Sequence, residues 1–140
     1  MWTALLRAHR ALTNRLDDEL RRQRNMSLDE YDVLYQIRRR RRPVRMTELA
    51  DAVLVSRAST TRLVDRLVEE AWVERWHDDQ DRRVVLVRLT AAGRRAQSSA
   101  ARLHLDGIAR LVGGSLSAHD LDTVANALVR LTALADATPR

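Results

Sequence analysis

Between Trp2 and about Gln23, apolar residues at Trp2, Leu5, Leu6, Leu12, Leu16 and Leu20 recur at threes and fours among charged ones, which predicts a long amphipathic helix. Ser27 followed by Glu30 forms a capping box, and a second helix starts there with Leu28, Tyr31, Leu34 and Ile37 turned inward. Pro43 closes the next stretch, because the residue before a proline is pushed out of helical conformation. Thr47 is expected to cap a short helix over TELADAVL, with Leu49, Ala50 and Val53 on one side. Ser56 is expected to cap a longer helix from Arg57 to about Glu70 that buries Leu63, Val64, Leu67 and Val68. Two short helices joined by about three residues make a helix-turn-helix. The leading face of its second helix is polar: Arg57, Ser59, Thr60, Thr61 and Arg62.

After Glu70 the period changes. WVERWH and RVVLVRL read as strands, and the polar DDQDR between them makes a hairpin whose tip, Asp78 to Arg83, projects as a wing. Thr90 opens another long helix, with Ala92, Ala96, Leu103 and Leu111 at helical spacing, until Gly113 and Gly114 stop it. Ser117 and Asp120 restart a last helix carrying Leu121, Val124, Leu128, Leu131 and Leu134. The fold class expected is mainly α: a winged helix-turn-helix at 27–90, with its recognition helix at about 56–70 and its wing at about 72–89. It is flanked by helices at 1–26 and 91–140 in one 140-residue chain. Those outer helices carry more apolar stripe than a helix-turn-helix can cover, so they are expected to form a homodimer.

Composition narrows the function classes. There is no cysteine, which removes disulfides, thiolate ligands and thiol nucleophiles together. His9, His77, His104 and His119 fall in separate elements without metal-ligand spacing, and Asp78, Asp79 and Asp81 lack the ligand series of a calcium loop; a turn is expected there, and no metal or cofactor. No Gly-rich phosphate loop or catalytic cluster can be assembled, which argues against an enzyme. No apolar run approaches the roughly 20 residues of a membrane span, and MWTALLRAHR is broken by charge too early for a signal peptide. A cytoplasmic location is expected.

The net charge of +6 comes entirely from arginine, 25 of them with no lysine, and five stand consecutively at Arg38 to Arg42. Guanidinium forks suit phosphate oxygens and guanine edges, so a polyanionic partner fits; a GC-rich gene would also raise the arginine count. The run itself has two readings: a solvated loop, or phosphate contact beside the helix-turn-helix that cannot read bases alone. A winged helix can also be a protein-interaction module, but that reading wants an acidic or apolar leading face, and the one here is neither.

The stretch MTELADAVLVSRASTTRLVDRLVEEAWVERWHDDQDRRVVLVRLTAAGR, Met46 to Arg94, resembles the MarR-type (multiple antibiotic resistance regulator) winged helix-turn-helix transcription factors. The serine-led helix, LVDRL, VER, the DRR tip and the LTAAG exit follow in order, and outside them SLDEYDVL and a Trp near the start agree by pattern. The resemblance implies a homodimeric regulator of double-stranded DNA, typically a repressor on a palindromic operator that is released by a small lipophilic or phenolic effector. It implies that Ser56, Arg57, Ser59, Thr60, Thr61, Arg62 and Arg66 face the major groove or its phosphates. Arg83 would be the wing arginine in the minor groove, with Arg82 near phosphate and Asp81 shaping the tip. Asp65 and Arg75 would tie the recognition helix to the base of the wing, and His9 and Tyr31 lie on helices that line the family's ligand cleft. Two departures stand out: Ala71 where a glycine is common after the recognition helix, expected to alter that helix end slightly, and Ser59 where a glycine is common.

Overall fold

A computed structural model describes residues 1–137. The element order is α1 (Trp2–Arg24), α2 (Leu28–Arg40), β1 (Val44–Arg45), α3 (Met46–Ala52), α4 (Arg57–Glu69), β2 (Val73–His77), β3 (Val85–Leu89), α5 (Ala91–Ile108), a π-helical turn (Ala109–Gly113) and α6 (Ala118–Ala137). The last three residues of the expected 91–140 segment lie outside the described ones. The chain divides into two compact units, Met1–His104 and Leu105–Arg140.

In the first unit α1 stops where Asn25 turns left-handed, φ 50°, and its N–H closes on the Arg21 carbonyl. Asp17 then reaches forward from α1, and its Oδ1 accepts the Leu28 N–H at 2.7 Å. The Ser27–Glu30 capping box is present in both directions: Ser27 Oγ accepts the Glu30 N–H at 3.1 Å, and Glu30 Oε2 accepts the Ser27 N–H at 2.7 Å. Each bond satisfies an amide that the first helical turn leaves without a partner.

The arginine run is not the loop that one of the two readings made it. α2 continues through Arg40, and only Arg41, left-handed at φ 55°, ends it. Arginine is a good helix former, and cations in a last helical turn meet the negative end of the helix dipole. Beyond Pro43, Val44 and Arg45 pair with Val87 and Leu86, so the hairpin becomes a three-stranded antiparallel sheet in the order β1-β3-β2. That pairing holds Arg45 extended and makes it the N-cap of α3, which therefore begins at Met46; Thr47 is inside the helix and does not cap it. A two-residue strand is too short to show any period in sequence.

Ser56 caps α4 as expected, accepting the Ser59 N–H. At the other end Ala71 takes the left-handed conformation, φ 57°, that a glycine would take more cheaply. Its N–H bonds the Val68 carbonyl and the Trp72 N–H bonds the Leu67 carbonyl, which is a complete Schellman motif. The altered helix end expected from alanine is not found: Ala71 adopts the same geometry under strain. Leu20, Met26, Leu34, Leu49, Val64, Leu67, Val73 and Val87 are fully or almost fully buried, and this core joins α1, α2, α3, α4 and the sheet.

Thr90 opens α5: its Oγ1 accepts the Gly93 N–H and donates to the Ala71 carbonyl. A Cβ on Gly93 would lie 1.9 Å from the Trp72 carbonyl oxygen, so only glycine lets the first turn of α5 sit on the start of β2. In the second unit the Ser117 hydroxyl accepts the Asp120 N–H and donates to the Asp120 carboxylate, giving the expected restart. Among its described residues α6 buries none, and Val124, Leu128, Val129 and Leu131 are exposed. No helix among the described residues is long and apolar enough to cross a membrane.

Candidate nucleic-acid interface

The helix-turn-helix is set by its caps and its ion pairs. Ser56 and Ser59 spend part of their hydrogen-bonding capacity on each other, with the Ser56 hydroxyl donating to Ser59 Oγ at 2.9 Å. Thr61, Arg57 and Arg62 are exposed along α4, and Arg57 Nη2 lies 2.7 Å from Asp51 Oδ1 on α3 in a fully wetted pair. Thr60 corrects the expectation for it: the side chain is 0% exposed, and its hydroxyl donates back to the Ser56 carbonyl at 3.0 Å. The helical turn that points Thr61 out points Thr60 into the core, so four residues of SRASTTR, not five, form the outward polar row with Ser56.

Arg66 also has a partner that sequence did not disclose. Its Nε lies 2.6 Å from Glu30 Oε1, and the Glu30 side chain is only 4% exposed. One carboxylate thus closes the capping box of α2 with one oxygen and holds α4 with the other. Asp65 and Arg75 form a direct ion pair that links the middle of α4 to β2.

The wing is built by its own side chains. Asp78 Oδ1 accepts the N–H groups of Gln80 and Asp81, and the Asp78 N–H bonds the Val84 carbonyl. His77 Nδ1–H donates to the Arg82 carbonyl at 2.7 Å. Asp81 Oδ1 accepts both the backbone N–H of Arg83, at 3.0 Å, and its Nε, at 3.2 Å. Those two bonds hold the Asp81 carboxyl below the usual carboxylate range. The Arg83 side chain remains 92% exposed. Its backbone and Nε are therefore held by Asp81 while the rest of the side chain is open to solvent. At the base, Arg88 stacks over Trp76, 5.3 Å from the ring centre, and its Nε lies 2.7 Å from Glu74 Oε2. No three His, Asp or Glu side chains converge in a metal-holding group among the described residues.

The arginine run is occupied differently at each position. Arg40 and Arg42 both reach Glu48 Oε1 on α3, at 3.0 and 2.7 Å, which holds the Glu48 carboxyl below its ordinary value. Arg38 Nη1 donates to the Arg94 carbonyl, Gln97 Oε1 and Ser98 Oγ on α5. Among the described residues, Arg39, over the Tyr35 ring at 5.8 Å, and Arg41 have neither carboxylate nor carbonyl for their guanidinium. His9 and Tyr31 are not brought together: His9 is exposed on α1, whereas Tyr31 is buried with its ring 4.7 Å from that of His104.

The family model described as "MarR family" matches residues 26–85, which contain the capping box, both helices of the helix-turn-helix, and the wing through its tip. Over that span the chain resembles the MarR family. Among solved structures it is similar to AbsC, a MarR family transcriptional regulator from Streptomyces coelicolor. That match has a TM-score of 0.87 and 23% identity over 98% of this chain and 93% of that one. It is similar also to Sco3205 of the same organism, a MarR family transcriptional regulator in complex with DNA, with a TM-score of 0.87 and 27% identity over 99% of this chain and 89% of that one. A curated relative, the HTH-type transcriptional regulator YpoP of Bacillus subtilis, is 30% identical over 93 residues, 66% of this chain and 64% of that protein. The match therefore spans a little under two thirds of that relative's length.

Proposed function

We propose that the chain is a sequence-specific, double-stranded-DNA-binding transcriptional regulator of the MarR type. The observation that carries this reading is Arg83: a guanidinium 92% exposed at the end of a hairpin whose tip is ordered by Asp81, beside a capped helix offering Ser56, Arg57, Ser59, Thr61 and Arg62. A narrow minor groove concentrates negative potential and favours a guanidinium inserted into it, while a helix with arginine and hydroxyl donors suits the major groove. Arg82, exposed next to Arg83, is assigned to phosphate. Arg66 and Asp65 are assigned a holding role, Arg66 through Glu30 and Asp65 through Arg75. The likeness of fold to Sco3205, solved in complex with DNA, supports the DNA-binding reading.

The working form is a homodimer acting as a repressor on a palindromic operator. The exposed apolar row Val124, Leu128 and Leu131 on α6 supports the dimer, since such a row repeating at three and four residues is what a symmetric helix interface uses. Two recognition helices in a dimer would meet half-sites about one duplex turn apart, roughly 34 Å. Release by a small effector completes the reading. The test is a mobility shift of the DNA upstream of its own gene at low salt: a shift that an unrelated duplex does not compete away supports the reading, and no shift for the full chain refutes it.

A further inference from the structure

We propose that the groove between the last turn of α2, the end of β3 and the start of α5 binds a small polyanion, one carrying two or more phosphate- or carboxylate-type groups. The groove has a volume of about 1010 Å³, at the upper end of the sizes small-molecule sites reach. Seven of its lining residues are arginine and none is acidic. Arg42 and Arg88 have carboxylate partners, Glu48 and Glu74. The other five, Arg38, Arg39, Arg41, Arg94 and Arg102, have none among the described residues.

Two of those five are held in place by neutral groups only. Arg38 gives Nη1 to the Arg94 carbonyl, Gln97 and Ser98, and Arg94 gives Nη1 to the Leu89 carbonyl at 2.9 Å. Their positive charge is thus fixed without being neutralised. Like charges gathered on one concave wall repel, and a multivalent anion removes that repulsion while gaining charge-assisted, fork-shaped hydrogen bonds. A single carboxylate would satisfy one guanidinium and leave the rest, so the site selects valence. Concavity argues against a duplex as occupant, since a nucleic-acid backbone is met by side chains that project. Tyr35, 42% exposed beneath Arg39, adds one ring face to an otherwise cationic wall.

The site also has a route to the helix-turn-helix. Arg42 lines the groove and holds Glu48 of α3, so an anion that recruits Arg42 loosens the joint between α2 and α3. This coupling rests on the reading of α3 and α4 as a DNA-binding element; the binding of the anion does not.

The experiment is calorimetric titration of tripolyphosphate into the full chain at near-physiological salt, repeated with an Arg39→Gln, Arg102→Gln double variant. Among the described residues neither bonds another element of the fold, so folding is retained, and circular dichroism verifies it. An Arg15→Gln, Arg22→Gln variant of α1 removes the same charge away from the groove. The expected result is saturable binding of one anion per chain, weakened about tenfold or more in the groove variant and little changed in the α1 variant. Absence of saturable binding, or equal weakening by both variants, overturns the proposal in favour of diffuse attraction. Loss of DNA affinity in the groove variant with no tripolyphosphate binding also overturns it, and assigns these arginines to DNA phosphate. A chain that binds tripolyphosphate but no DNA would leave the groove standing and the regulator reading fallen.

Discussion

Arg42 and Glu48 stand 2.7 Å apart across the proline that separates α2 from α3, and Arg40, two residues earlier, joins the same carboxylate oxygen. Two positions of the most conspicuous charge run in the chain are thus spent on fixing the first helix of the helix-turn-helix. Glu48→Gln is expected to lower the urea midpoint of unfolding and to speed hydrogen exchange in α3. Unchanged exchange in α3 would show that the clip holds nothing.

Thr60 and Thr61 are neighbours with opposite duties. Thr60→Ala is expected to destabilise the fold by about 1–2 kcal/mol, through the lost bond to the Ser56 carbonyl and the space left in the core. Thr61→Ala is expected to leave stability within about 0.5 kcal/mol but to reduce discrimination between operator and random DNA by about 1–3 kcal/mol. Paired denaturation and DNA-binding curves separate the two; a DNA-specific loss confined to Thr60→Ala would reverse the orientation of α4.

Ala71→Gly is expected to stabilise the chain by about 1 kcal/mol, because the left-handed conformation at φ 57° strains a residue with a Cβ. Gly93→Ala is expected to destabilise it by about 3 kcal/mol, since the new Cβ would overlap the Trp72 carbonyl. Thermal melts of both variants check the pair, and a neutral Gly93→Ala would contradict the packing of α5 on β2.

His104 packs on Tyr31, and burial holds its imidazole below the ordinary value of 6.5, with Asp32 opposing weakly. A base whose folded pKa is depressed contributes stability that is present above 6.5 and lost as pH falls through the lower folded value. Stability should therefore fall between neutral pH and the mildly acidic range, and His104→Gln should flatten that slope. A variant with the same slope as the parent would place the titration elsewhere.

The helices, the caps at Ser27, Ser56 and Ser117, and the wing were legible because each rests on residues close together in sequence. A hydroxyl three residues before a carboxylate, or Val, Trp and Leu bracketing DDQDR, carries its own geometry. What was illegible depends on contacts between distant residues. β1 is only Val44 and Arg45, recognisable once β3 lies beside it. Thr60 looks like Thr61 until the core fixes which side of α4 faces in, and Arg66 looks like a free cation until Glu30 is packed against it. Arg38 to Arg42 read as one run; in the fold they serve α5, Glu48 and the groove separately.

In the proposed function the wing reads DNA through Arg83. Its most direct test is the affinity of the parent chain and of Arg83→Ala for the upstream duplex and for a scrambled one, by fluorescence anisotropy at fixed salt. Arg83→Ala is expected to weaken binding to the upstream duplex by about 1–3 kcal/mol and to narrow the gap to the scrambled one, with the fold unchanged. Unaltered affinity for both duplexes would contradict it.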